Sequence, residues 1–141
     1  MKIMIFTKIV VIPLAIGVLV QIIKMIPDAI KGNFRLKNLL NYGGMPSGHG
    51  ALVASLCTMV GIVQGVNTVE FGIAIIMSVI VLRDSVGLRR IIGRQGKVIN
   101  KLNNINENAL TLQERVGHSP LEVLMGVFVG IALSFLLNSL V

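Results

Sequence analysis

Residues 69–102 read VEFGIAIIMSVIVLRDSVGLRRIIGRQGKVINKL, and a change of character inside this stretch settles the class of protein. From Phe71 to Leu82 there is no charge, whereas from Arg83 onward basic residues recur. Projected at about 100° per residue, Arg83, Arg90, Arg94, Lys97 and Lys101 fall in one narrow stripe, and Leu88, Ile91, Ile92, Val98, Ile99 and Leu102 occupy another face. The pattern is an apolar span running out into a basic amphipathic helix, which suits the phosphate-rich interface of a bilayer.

Three other apolar segments flank it. The first runs from about Ile3 to Ile26, with Lys8 near one end and Pro13 as an expected kink. The second begins after Pro46 and reaches about Val66 without a formal charge, and the last, Val123 to Val141, is predominantly apolar to the end of the sequence. A helical span needs roughly 20 residues, so the third, charge-free only from Phe71 to Leu82, is short by itself. The fold expected is all-α: a single membrane domain over 1–141, a helical bundle of about four spans with a basic amphipathic extension.

Composition agrees. Hydrophobic residues are 54% of 141, more apolar surface than a water-soluble body of that size can hide. Lysine and arginine outnumber acids 13 to 6, a formal charge of +7, but aromatic residues are only 4% and apolar runs interrupt the charges. The basic excess therefore points away from nucleic acid and toward anionic lipid headgroups. Cys57 is the single cysteine, so no intrachain disulfide forms. The N-terminal apolar stretch lacks a small-residue cleavage site and runs on to Lys24, so it reads as the first span rather than a signal peptide.

Basic residues in the connections set the orientation. Lys24, Lys31, Arg35 and Lys37 follow the first span; Arg83, Arg89, Arg90, Arg94, Lys97, Lys101 and Arg115 follow the third. Four crossings put both links on one side, which the positive-inside rule makes cytoplasmic in a cell membrane, although Lys2 and Lys8 argue weakly the other way. The same parity places His49 and His118, distant in sequence, at helix entrances on one face.

Three motifs there carry chemistry. Gly43-Gly44-Met45-Pro46-Ser47-Gly48-His49-Gly50 enters the second helix: Ser47 is a good N-cap, backbone N–H groups around Gly48 are open to an anion, and His49 is placed to donate a proton to a leaving oxygen. The plainer alternative is a glycine-rich turn with His49 a bystander. Gly117-His118-Ser119-Pro120-Leu121-Glu122 enters the last helix, and Ser119, Pro120 and Glu122 make a capping box. Glu122 is either wholly occupied by that role or also holds one nitrogen of His118, leaving the other as a nucleophile. In Arg83 to Arg90, Asp84 projects, like Gln95, onto the apolar face, where a carboxylate needs an arginine or histidine partner. Arg89 lies off the basic stripe beside Gly93 and Gly96, where a neighbouring helix has room to approach. Arg94, Lys97 and Lys101 read as positive-inside anchors.

Together these motifs resemble the divergent branch of the type 2 phosphatidic acid phosphatase and vanadium haloperoxidase superfamily. The likeness covers most of the chain: Gln21 to Lys24, Gly43 to His49, Asp84 through Arg90 to Gln95, and Gly117 to Val123. It implies that His118, with Glu122 in place of the usual Asp, is the phosphoryl-accepting nucleophile, and that His49 protonates the leaving group. It also implies that lysine and arginine bind the phosphate oxygens. The mainstream Lys-x6-Arg-Pro motif is absent, since Lys31 follows Lys24 by that interval and Asn38 follows Lys31, and Leu112 stands where the mainstream has an arginine before the nucleophile. Arg89 or Arg90 is then expected to supply the missing charge, and Lys24 or Arg35 to replace the first motif.

The expected activity is hydrolysis of a lipid phosphate or diphosphate through a phosphohistidine; no acidic cluster suggests a metal, and no cofactor is expected. The alternative is a non-catalytic membrane protein binding lipid phosphates, as carrier or scaffold, with Gly61, Gly65, Gly126 and Gly130 for helix packing. Four helices are few to enclose such a site, so a homodimer or a re-entrant helix near Leu36 to Tyr42 is expected to complete it.

Overall fold

The computed structural model describes residues 2–30, 44–103, 111–114 and 116–140. Among them the helices are α1 (Lys2–Ile30), α2 (Gly48–Gln64), α3 (Val69–Val86), α4 (Leu88–Asn103) and α5 (Pro120–Leu140). By length and composition Phe6–Ile26, the stretch Val69–Leu102 and Pro120–Leu140 are suited to cross a membrane, and α2 is a shorter apolar helix. Large apolar side chains such as Phe6, Val18, Ile76, Phe128 and Leu136 stand exposed on the outer faces of α1, α3 and α5. Water would penalise so much bare apolar surface, whereas lipid does not. The chain is an all-α integral membrane protein, a bundle of about four helices.

Helix limits follow local chemistry. The hydroxyl of Ser47 accepts the Gly50 amide at 3.2 Å to start α2, and Gly65, at φ +96°, ends it. Thr68 caps α3 by accepting from the Phe71 amide. α1 carries Pro13 without interruption. The amphipathic segment does not simply prolong the third span. Gly87 adopts φ −102°, ψ −90°, outside the helical range, and its amide closes on the Arg83 carbonyl, so α3 stops and α4 begins anew.

α2 is central and touches α1, α3 and α5. Apolar helices gain little by leaving lipid for each other, so small residues and hydrogen bonds must hold the bundle. Ser47, Ala51 and Ser55 on α2 and its cap face Gly126, Gly130 and Ser134 on α5, each row at four-residue spacing. A Cβ on Gly126 would collide with the Ser47 carbonyl, and one on Gly130 with the Ala51 carbonyl. Farther along, the Ser134 hydroxyl lies 2.7 Å from the Ser55 hydroxyl. Ile12, Ile16 and Val20 of α1 complete the core against Ala51 and Met59. Gly126 and Gly130 thus serve packing within the chain. Gly61 lies under the Phe71 ring, and Gly65 is a helix terminus with nothing near its Cβ position, so it takes no part in helix packing.

The chain before α5 forms a strap, residues 111–114 and 116–117, along α4. Asn100 clamps it by donating to the Leu112 carbonyl at 2.7 Å and accepting from the Leu112 amide at 2.8 Å. A Cβ on Gly96 would sit 2.9 Å from the Gln113 carbonyl, and one on Gly93 2.6 Å from that of Glu114. The expected close neighbour of Gly93 and Gly96 is therefore this extended strap and not another helix. The segment 36–42, where a re-entrant helix was expected, lies outside the described residues.

Candidate functional site

The C-terminal half of α1, the start of α2, the α3–α4 junction and the start of α5 meet at one end of the bundle. At the other end the Lys8 ammonium donates to the side-chain Oδ1 of Asn138 at 3.3 Å, which fixes α1 and α5 as antiparallel. His49 and His118 both lie at the first end, with ring centres 5.8 Å apart and planes at 63°.

Each imidazole is placed by a helix cap. The Ser47 amide donates to the Glu122 carbonyl at 2.9 Å, which locks the start of α2 onto the start of α5. The Ser47 hydroxyl is buried and committed to the Gly50 amide, so Ser47 positions its neighbours. Gly48 lies at the opening: a Cβ there would stand 3.8 Å from the Gln21 amide oxygen and 3.9 Å from the Lys24 ammonium. Lys24 is thereby brought from α1 to the histidine pair.

Glu122 does both of the jobs that its sequence position offered. One oxygen, Oε2, accepts the Ser119 amide at 3.1 Å and also lies 3.1 Å from His118 Nδ1, while the Ser119 hydroxyl accepts the Glu122 amide at 3.3 Å. The capping box therefore also orients the histidine. With Nδ1–H turned to a carboxylate, the other ring nitrogen keeps its lone pair. The His118 amide donates to the Ser85 carbonyl at 3.0 Å, tying this loop to α3. His118 is buried, and that burial lowers its pKa below the ordinary imidazole value; Lys24 and Arg89 push the same way, against the Glu122 hydrogen bond and charge.

Asp84 finds an arginine, as expected: Arg89 Nε donates to Asp84 Oδ2 at 2.7 Å. The charges of Arg89, Lys24 and Asp84 all act on His49. Arg90 packs by its backbone against Gly117 and lines a cavity on the far side of His118. Gln95 stands apart, on an exposed face of α4 with Ile91, Val98 and Ile99. Arg35 lies outside the described residues. Among the described residues no group of three His, Cys, Asp or Glu is placed to hold a metal.

Some site residues were not singled out by the sequence. Ser85 carries the carbonyl that holds the His118 loop, and Arg94 and Lys97, read as membrane anchors, face the cavity beside His118. The available signal was Gly93 and Gly96 next to them, which mark where another backbone comes close.

Comparison with known proteins assigns the chain to a family. The family model described as the Divergent PAP2 family matches residues 5–133. The "Uncharacterized membrane protein YuiD" of Bacillus subtilis (strain 168) is 37% identical over 111 residues, which is 67% of this chain and 70% of that protein. No solved structure matches. The family match takes in α2, α3, α4, the start of α5 and both imidazoles, and on that extent the chain belongs to the Divergent PAP2 family.

Proposed function

We propose that this protein is a metal-independent phosphatase acting on the phosphate or diphosphate of a membrane lipid. The observation that carries the reading is the 5.8 Å approach of His49 to His118, with His118 held by Glu122. A nucleophile about 3 Å from phosphorus and an acid about 3 Å from the departing oxygen fit rings at that separation. In this reading His118 Nε2 attacks phosphorus, the bond from phosphorus to the leaving oxygen breaks, and His49 gives that oxygen its proton. Water then attacks the phosphohistidine, His49 takes the water proton, and phosphate leaves with the imidazole restored. Glu122 supports the charged ring, and Lys24, Arg89 and the Gly48 amide balance charge on the phosphoryl oxygens. In this reading the face is cytoplasmic and its neighbours are anionic lipids, which the basic residues of the two links support.

One observation favours a second reading, a non-catalytic binder of lipid phosphate: Arg89 already gives its Nε to Asp84 at 2.7 Å. Phosphate release from phosphatidic acid and isoprenoid diphosphates by purified protein separates the two. Turnover predicts release by the wild type, a fall of at least about 100-fold in His49→Ala, and background in His118→Ala. No release from any lipid by a protein that keeps its helical content overturns the phosphatase, and lipid-phosphate binding retained by both variants supports the binder.

A further inference from the structure

On the side of His118 facing α4 lies a cavity of about 260 Å³, lined by Arg90, Arg94, Lys97, Glu114, Gly117 and His118 among others. His49 is not among its lining residues, so it is not the space between the imidazoles. Arg90, Arg94 and Lys97 recur at spacings of four and three residues, which aligns them on one face of α4. Like charges so placed repel unless an anion or a carboxylate lies between them. Among the described residues none of the three has an ion pair. Two carboxylates also stand on the cavity wall, but neither pairs with these cations: Glu122 Oε2 meets His118 and the Ser119 amide, and Glu114 Oε1 accepts from the Asn100 side chain at 3.0 Å.

The opposite wall is backbone held at fixed distance. Gly117 has φ +89°, and a Cβ on it would lie 2.8 Å from the Arg90 amide nitrogen. Together with the contacts at Gly93 and Gly96 and the Asn100 clamp, this sets the strap in place without help from a ligand. Arg83 and Lys101 share the basic stripe but do not line the cavity. Interfacial anchoring alone predicts no such division of the stripe.

We propose that this cavity is a second phosphate-binding site, adjoining the histidine pair through His118. Arginine forks and a lysine ammonium facing a glycine-lined backbone wall are suited to a tetrahedral oxyanion. The phosphate group is carried by an anionic lipid headgroup, or it comes as free phosphate or the second phosphoryl of a diphosphate substrate. The site holds whether or not the histidine pair turns over.

Binding of radiolabelled inorganic phosphate to protein in phosphatidylcholine nanodiscs, by equilibrium dialysis, tests it. The wild type should bind one equivalent more than Arg94→Gln/Lys97→Gln. Arg83→Gln/Lys101→Gln, with the same loss of charge from the same stripe, should bind as the wild type does. Equal binding by Arg94→Gln/Lys97→Gln and wild type overturns the site, as does an equal loss in the control pair. In nanodiscs containing phosphatidylglycerol, displacement of that one equivalent identifies a lipid headgroup as the occupant, and its retention identifies free phosphate or a second phosphoryl. Helical content is followed in every variant. Lipid hydrolysis is not measured here, so failure of the phosphatase reading leaves this result intact.

Discussion

Gly126 and Gly130 bring α5 against the backbone of α2, and Gly93 and Gly96 bring the strap against α4; the two contacts use the same residue for different ends. The α2–α5 seam is buried, and its polar partners Ser55 and Ser134 are fully shielded. In lipid a seam of this kind supplies most of what holds two apolar helices together. At the α4–strap contact residues 111–114 are exposed and their side-chain hydrogen bonds to α4 come from Asn100, so this part is expected to open before the whole unfolds. His118 sits where the two meet, after the strap and before α5. Its position relative to His49 is thus set by the rigid contact, while the basic cavity beside it is set by the softer one.

The largest effect that breaks this comparison is at the seam. In Gly126→Val the new side chain meets the Ser47 carbonyl, backbone that cannot move without displacing the start of α2. Overpacking against backbone should cost about 3 kcal/mol, read as a lower thermal midpoint in detergent. It should also separate His49 from His118 and remove phosphate release. A Gly126→Val protein as stable as the wild type would show that α5 does not depend on this close approach.

A smaller effect comes from the proton on His118, where seam and strap join. Burial holds its folded pKa below the unfolded value of about 6.5, so between the two values the unfolded chain binds more protons. The stability contributed by the neutral ring is therefore fully present above about pH 6.5 and is lost as pH falls through the lower folded value. Thermal midpoints measured from pH 8 downward should drop below neutrality in the wild type and drop less in His118→Asn. Parallel curves would mean that the ring is not held neutral by the fold.

The seam was more legible in the sequence than the strap, for a physical reason. Helix period, charge parity and caps are local signals, and they gave the four apolar segments, the shared face of His49 and His118, and the capping box at Ser119–Glu122. Asp84 was correctly expected to need a cation, because an unpaired carboxylate at that depth is costly. The Gly87 break was missed because the hydrophobic and basic periodicities continue through it. Arg94 and Lys97 were read as anchors because the strap that faces them is extended and has no period of its own. Gln95 shares the apolar face with Asp84 in projection, but the break at Gly87 separates the two residues onto different helices.

The smallest effect sharpens the contrast most. Asn100→Ala removes both hydrogen bonds to Leu112 and the one to Glu114, all at the surface, where such bonds contribute about 0.5–1.5 kcal/mol each at most. Water replaces them readily, so the global thermal midpoint should barely move. Local opening should instead increase: amide exchange at Leu112 should accelerate, while the His118 amide, bonded to the Ser85 carbonyl on α3, keeps its protection. Phosphate binding in the α4 cavity should weaken, whereas the histidine pair, positioned through the seam, should be unaffected. If Asn100→Ala lowered the midpoint as far as Gly126→Val, or exposed both amides equally, strap and seam would be one cooperative unit, and the division of labour around His118 would not exist.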